Sequence, residues 1–151
     1  MQTGDHVPDF DTTDQNGNQR KFSEFLADGP VVLFFYPKAM TTGCTKESCH
    51  FRDLAGEFAD VGAQRIGISA DSVERQAAFD DKHGLGYPLI SDTDKSIAAI
   101  FGVKRSLLPF SKRNTFVIDS DGTVLERIAS ETNMDVHADR ALALLRERAA
   151  R

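Results

Sequence analysis

Residues 31–36, Val-Val-Leu-Phe-Phe-Tyr, constrain the fold of this 151-residue chain more than any other segment. A strand with one solvated face alternates apolar and polar residues, and this run does not alternate. We therefore predict a strand that is buried on both faces, as at the centre of a sheet covered by helices. The run is too short to cross a membrane, which needs about 20 apolar residues.

The patterns on either side of this run predict alternating helices and strands. A β-hairpin is indicated at 10–22 by the Asn16-Gly17 turn, and Ser23 is predicted to cap a brief helix that ends at Leu26. A longer helix is predicted at 44–60, with Phe51, Leu54, Ala55 and Phe58 facing inward. Further helices are expected at 72–83 and 96–101, and strands at 62–69, 87–90, 115–118 and 123–125. A last helix should bury Ala138, Leu142, Leu145 and Ala149.

This order of elements defines the expected fold class. It is α/β: a thioredoxin-like fold with a central mixed sheet flanked by helices and an N-terminal β-hairpin extension. Because we find no repeat, linker or shift in composition, we expect one domain over residues 1–151. Ligand crevices in such sheets lie at the carboxyl ends of parallel strands, which here is the segment after residue 36.

Both cysteines of the chain, Cys44 and Cys49, lie in that segment. The pattern Pro37-x-x-x-Thr41-x-x-Cys44 places the first cysteine at the start of a helix, where N–H groups and the helix dipole stabilise a thiolate. We expect Cys44 to be partly buried and Cys49 to lie nearer the polar side. In a helix their Cα atoms would be about 8 to 9 Å apart, whereas a disulfide needs about 4.4 to 6.8 Å. A disulfide would therefore require the helix to unwind.

The same segment resembles the signature of the peroxiredoxins. Its continuation, Cys44-Thr-Lys-Glu47-x-Cys49-x-Phe51-Arg52-Asp53, is similar to the peroxiredoxin Q branch, also called bacterioferritin comigratory proteins. Further matching segments are 67–71, 88–92 and 113–119. The resemblance implies a thioredoxin-dependent peroxidase that reduces hydrogen peroxide and organic hydroperoxides without metal, haem or flavin.

The resemblance also implies a role for each site residue. Cys44 would be the peroxidatic cysteine that becomes a sulfenic acid, and Cys49 the resolving cysteine of an intramolecular disulfide reduced by thioredoxin or a similar dithiol. Thr41 would hydrogen-bond the peroxide, Pro37 would shield the site from water, and Arg113 would hold thiolate and peroxide oxygens. The amide of Gly43 would join that of Cys44 as a donor to the peroxide.

Two features depart from the family pattern. Thr42 stands where many members have proline, and its hydroxyl is expected to cap the helix. The segment 106–111 is unusually apolar, and we predict that Leu107, Leu108 and Phe110 form an exposed apolar lip beside the site. With Leu108 and Phe110 the lip would bind the apolar tail of an organic hydroperoxide, contact the reductase or support a weak dimer. The alternative is that these side chains pack in the core.

Several other interpretations remain open. Cys44 could be a redox sensor that switches a partner surface without turnover, whereas a general disulfide reductase normally has Cys-x-x-Cys. A zinc site from Cys44, Cys49 and His50 lacks the usual ligand spacing. Glu47, Asp53 and Glu57 are interpreted as a solvated helix face, and the four histidines are given no role.

Composition and charge bear on partners and location. The balance of 18 basic and 23 acidic residues disfavours nucleic-acid binding. The first residues do not show a basic segment followed by an apolar one, and two closely spaced cysteines are typical of intracellular catalysts. We expect a cytoplasmic protein that binds neither nucleic acid nor membrane and is a monomer or weak dimer.

Overall fold

A mixed five-stranded sheet forms the centre of the molecule in the computed structural model, which describes residues 1–104 and 112–150. A separate N-terminal hairpin consists of β1 (Asp11–Thr13) and β2 (Gln19–Lys21). The sheet contains β3 (Val31–Phe35), β4 (Gln64–Ser69), β5 (Leu89–Ser91), β6 (Asn114–Ile118) and β7 (Val124–Ala129), in the order β5-β4-β3-β6-β7. The pairs β3–β4 and β4–β5 are parallel, and β3–β6 and β6–β7 are antiparallel.

Six helices accompany these strands within the described residues: α1 (Phe22–Leu26), α2 (Thr42–Asp53), α3 (Ala55–Asp60), α4 (Val73–His83), α5 (Ser96–Phe101) and α6 (Asp135–Ala149). The expected α/β thioredoxin-like fold with its N-terminal hairpin is confirmed. None of the helices in these described parts is long and apolar enough to cross a membrane.

Strand β3 is buried along its whole length, as the run without polar alternation predicts. Its side chains divide between two apolar clusters, one on each face of the sheet. Phe34 points to the first cluster, where its ring stacks on Phe51 of α2 at 4.1 Å between centroids. Phe35 points to the second, near Phe101 and Phe116. Each such buried side chain stabilises the fold by about 1.5–3 kcal/mol.

The long helix predicted at 44–60 is wrong in detail. It begins at Thr42 and is interrupted at Leu54, which separates α2 from α3. Phe51 and Phe58 are buried as predicted, Leu54 is half-buried, and Ala55 is exposed. The backbone leaves the helical conformation at Leu54, although the Phe51 and Phe58 rings on either side of it still stack at 5.8 Å between centroids.

Two other predictions are also corrected. Ser23 lies inside α1 and does not cap it. Asp9 fills that role, because its Oδ1 accepts the Ser23 N–H at 2.9 Å and its Oδ2 accepts the Ser23 hydroxyl at 2.9 Å. In α6, Ala149 is the last helical residue and is exposed, while His137 and Ala141 join the buried face.

Candidate active site

Cys44 lies in the first turn of α2, just beyond the carboxyl end of β3. Thr41 is the N-cap residue in an extended conformation, so the chain turns from strand to helix within a few residues. The Cys44 side chain is fully buried, with 0% exposure, where partial burial was expected. Phe34, Tyr36 and Phe51 belong to the same apolar cluster, which explains the deeper burial.

Arg113 reaches Cys44 from the neighbouring strand. Asn114 at the start of β6 pairs with Phe35 at the end of β3, which places the preceding residue, Arg113, beside the turn into α2. Its Nη2 donates to Cys44 Sγ at 3.2 Å, and its Nη1 donates to Glu47 Oε1 at 2.7 Å. Arg113 as a whole is 5% exposed, so its guanidinium acts on the sulfur with little screening by water.

Glu47 does not lie on a solvated face, and this prediction is wrong. The side chain is 0% exposed and forms a buried ion pair with Arg113. Burial raises the pKa of Glu47 to about 8, although Arg113 opposes the shift. Positions 44, 47 and 51 are three and four residues apart and share one helix face, which is the signal that could have identified Glu47.

His137 on α6 also belongs to this buried region, although no role was predicted for any of the four histidines. Thr115 Oγ1 lies 2.8 Å from Nδ1, Ser130 O lies 2.8 Å from Nε2, and Glu47 Oε2 lies 3.6 Å from Nδ1. Burial lowers the pKa of His137, which favours the neutral ring. Its spacing to Ala141 and Leu145 on the inward face of α6 is the sequence signal for its burial.

The turn before α2 is held by an ion pair between Asp71, which precedes α4, and Arg75 of α4. Asp71 Oδ2 accepts the Ala39 N–H at 2.7 Å, and Arg75 donates to both Asp71 Oδ1 and Ala39 O at 3.0 Å. Met40 adopts φ 69°, a left-handed conformation that costs a residue with a β-carbon free energy. Sequence reasoning did not find this support, because its partners lie more than 30 positions from the turn.

The other predicted site residues lie around the same turn. The Thr41 hydroxyl donates to Lys38 O at 2.8 Å and makes no cap hydrogen bond. The prediction for Thr42 is wrong, since Thr42 is already the first helical residue and Thr41 occupies the cap. Pro37 is half-buried. Gly43 is so close to the guanidinium that a Cβ there would lie 3.4 Å from Arg113 Nη2.

Cys49 is half-buried and packs against the apolar cluster that contains Cys44, rather than turning to the polar side. Both thiols are free. Two contacts hold this part of α2: Tyr87 Oη donates to Ser48 O at 2.7 Å, and His50 Nε2 lies 2.7 Å from Asp139 Oδ1 on α6. Leu107, Leu108 and Phe110 lie outside the described residues.

Comparison with known proteins identifies the family. The model of the AhpC/TSA family matches residues 3–127. The crystal structure of peroxidoxin BcpB from Mycobacterium tuberculosis superposes with a TM-score of 0.94 at 59% identity and covers 97% of each chain. The chain belongs to the peroxiredoxins. Peroxiredoxin Bcp of Bacillus subtilis is 35% identical over 97% of this chain and 96% of its own.

A structure of the bacterioferritin comigratory protein of Xanthomonas campestris is also similar, with a TM-score of 0.84 and 31% identity over 93% of this chain and 92% of that one. That study concerns alkyl peroxide reduction by the Xanthomonas protein. These relatives place the chain in the peroxiredoxin Q branch, as its motif indicates. The protein is thus a thiol peroxidase, with a peroxide as its substrate and a thiol as its reductant.

Proposed function

We propose that this peroxiredoxin reduces hydrogen peroxide and organic hydroperoxides through Cys44. The observation that carries the proposal is the contact between the buried Cys44 sulfur and Arg113 Nη2 at the start of α2. A cationic donor and a helix N-terminus both stabilise negative charge on that sulfur. The Xanthomonas relative supports alkyl hydroperoxides as one substrate class.

In the first step the Cys44 thiolate attacks one oxygen of the peroxide. An S–O bond forms, the O–O bond breaks, and the leaving oxygen takes a proton to become water or an alcohol, which leaves Cys44 as a sulfenic acid. Arg113, with the amides of Gly43 and Cys44, stabilises the charge that develops on the oxygens. Thr41 binds the peroxide once its hydroxyl turns from Lys38 O, and Pro37 limits access of water.

In the second step the Cys49 thiolate attacks the sulfenic sulfur. A disulfide forms and hydroxide leaves, taking up a proton as water. Because an intact helix keeps these Cα atoms about 8 to 9 Å apart, the first turns of α2 must unwind. Thioredoxin or a similar dithiol then reduces the disulfide. We further propose one domain over residues 1–151, a cytoplasmic location and a monomer or weak dimer.

The two cysteines are tested by separate substitutions. Cys44→Ser should abolish peroxide reduction, whereas Cys49→Ser should retain one rapid turnover and accumulate the sulfenic acid, since only Cys44 touches Arg113. The measurement is stopped-flow peroxide consumption followed by mass spectrometry of the trapped sulfenic acid. Equal loss of the first turnover in both variants would contradict the assignment. Consumption that stops after one equivalent in the wild type with a thioredoxin system would favour a redox sensor.

A further inference from the structure

Two buried titratable side chains beneath Cys44 take no part in the steps proposed above. Glu47 and His137 are both 0% exposed, and Glu47 Oε2 lies 3.6 Å from His137 Nδ1. Glu47 Oε1 accepts from Arg113, but Glu47 Oε2 has no hydrogen-bond partner among the described residues. A buried carboxylate oxygen without a donor is costly, and a proton on this carboxyl removes that cost.

The hydrogen bonds of His137 indicate which of its nitrogens carries hydrogen. Ser130 O can only accept, so Nε2 donates to it. Nδ1 is then free to accept the hydroxyl hydrogen of Thr115. A second proton, on Nδ1, would point at Glu47 Oε2 once the Thr115 hydroxyl turned away. The pair therefore has two places for one additional proton: the Glu47 carboxyl or the His137 ring.

Charge balance links this proton to the reacting sulfur. Arg113 contacts both Cys44 and Glu47, so a thiolate and a carboxylate would share one guanidinium in a region with little water. Three further titratable groups among the described residues face the region: Glu131, Tyr87 and Tyr36, whose pKa burial raises well above its usual value. Glu131 accepts the backbone N–H of Arg113 at 3.1 Å, and Tyr87 has a pKa that burial raises well above its usual value, so it stays neutral near pH 8.

We propose that Glu47 and His137 together hold one proton beneath Cys44, and that this proton decides whether Arg113 balances the Cys44 thiolate or the Glu47 carboxylate. The inference rests on the proposed role of Cys44 and deepens it. While the proton is held, the pair is neutral and the guanidinium is available to the sulfur. When the proton leaves to solvent, a second buried anion competes for Arg113 and weakens its support of the thiolate.

The direction of the pH dependence follows from this competition. The peroxide step falls when the pair loses its proton, because the Glu47 carboxylate then competes with the Cys44 thiolate for Arg113. Since burial raises the pKa of Glu47 to about 8, the decline belongs on the alkaline side of neutrality. Glu47 and His137 are thus positioning residues that act through Arg113.

The test is the rate constant of the first turnover with hydrogen peroxide, measured by stopped flow from about pH 5 to about pH 10. Wild type should lose about tenfold between pH 7 and pH 9.5, and Glu47→Gln should lose less than about twofold, since glutamine still accepts from Arg113 but does not titrate. Glu131→Gln is the matched control, because it removes a carboxylate from the Arg113 backbone N–H. This variant should keep the alkaline decline.

The variant His137→Gln provides a second test of the shared proton. It removes one of the two places for the proton, so the decline should move to lower pH by about half a unit or more. If this variant fails to fold, the comparison of wild type, Glu47→Gln and Glu131→Gln decides alone. A decline that persists in Glu47→Gln, or is absent from the folded wild type, would overturn the inference. The proposed function itself fails only if Cys44 shows no rapid first turnover at any pH.

Discussion

The guanidinium of Arg113 joins two buried acidic groups, the Cys44 thiol and the Glu47 carboxyl. Arg113→Ala should slow the peroxide step by about two to three orders of magnitude, the scale for losing one preorganised donor. Arg113→Lys should recover only part, because an ammonium cannot span both partners as a planar fork does. Stopped-flow rates with hydrogen peroxide measure this effect. Wild-type rates in either variant would place Arg113 outside the reaction.

Glu47 also couples the stability of the protein to pH. Its pKa is raised in the folded state from 4.5 to about 8, so folding favours the protonated form. The protonated carboxyl therefore contributes to the free energy of unfolding below about pH 4.5, and this contribution is lost as the pH rises through about 8. Glu47→Gln does not titrate. Relative to wild type, its melting temperature should therefore increase by at least about 2 °C between pH 5 and pH 8.

The matched control for this stability measurement is Glu57→Gln, a change at a half-buried carboxyl further along the chain in α3. Its melting temperature should follow that of wild type across the same pH range. If the melting temperatures of Glu47→Gln and wild type differ by the same amount at every pH, the buried carboxyl does not titrate in this range.

The site residues differ in how far sequence could predict them. Cys44 and Arg113 carry a recognisable motif, and both lie where the sequence places them. Glu47 shares a helix face with Cys44 and Phe51, so its burial was visible from spacing. Its partner Arg113 is 66 positions away, and without that partner a buried glutamate is improbable. Long-range pairing of charges is the information that a single sequence lacks.

Helix α2 must change conformation if Cys49 is to reach Cys44. The disulfide would close a loop of only a few residues, so it restricts the unfolded chain little and adds little stability. This small gain does not compensate for the free energy lost when the helix unwinds. Amide hydrogens of residues 44–51 should exchange faster in the oxidised protein than in the reduced one, as measured by hydrogen–deuterium exchange. Equal protection in both states, with the disulfide formed, would contradict unwinding.

The contacts of α2 with its surroundings allow a sharper version of that experiment. Tyr87→Phe removes the hydroxyl that donates to Ser48 O at 2.7 Å but keeps the ring in the core. Unwinding should then cost less, and the disulfide should form faster after the first turnover. The peroxide step itself should stay within about twofold of wild type. Equal rates of disulfide formation would show that this contact persists during resolution.

Elements were predictable to different degrees for a physical reason. The buried strand β3 and the short helix α5 have clear patterns, and α5 was predicted with its exact bounds at 96–101. The interruption at Leu54 has no glycine or proline at that position to indicate it. Local pattern determines the type of an element, whereas packing determines where a helix bends.

At the scale of the whole molecule, the order of strands brings together the two segments that form the site. The motif after β3 and the arginine before β6 are distant in sequence, yet the antiparallel pairing of these central strands makes them neighbours. The order of elements predicted a central mixed sheet and a late hairpin, but it did not specify which strand that hairpin joins. The buried contacts below Cys44 depend on α6 packing against α2, which no local pattern specifies.

The apolar segment 106–111 directly precedes Arg113 in the sequence. Lys112 N–H donates to Val103 O at 2.9 Å. This hydrogen bond holds the residues that flank 105–111 together, next to Arg113. Leu108 and Phe110 belong to that segment, and we propose that they bind the apolar part of organic hydroperoxides. Burying one such side chain against a ligand contributes about 1.5 to 3 kcal/mol, or more than tenfold in affinity.

Replacing both Leu108 and Phe110 by serine should therefore raise the KM for an organic hydroperoxide by about tenfold or more. Hydrogen peroxide has no apolar part, so its reduction is the internal control and should stay near wild type, as should the melting temperature. Native mass measured on the same variant shows whether these side chains also support a weak dimer. Equal losses with both peroxides would exclude a role in substrate selection, and unfolding of the variant would show that the two side chains belong to the core.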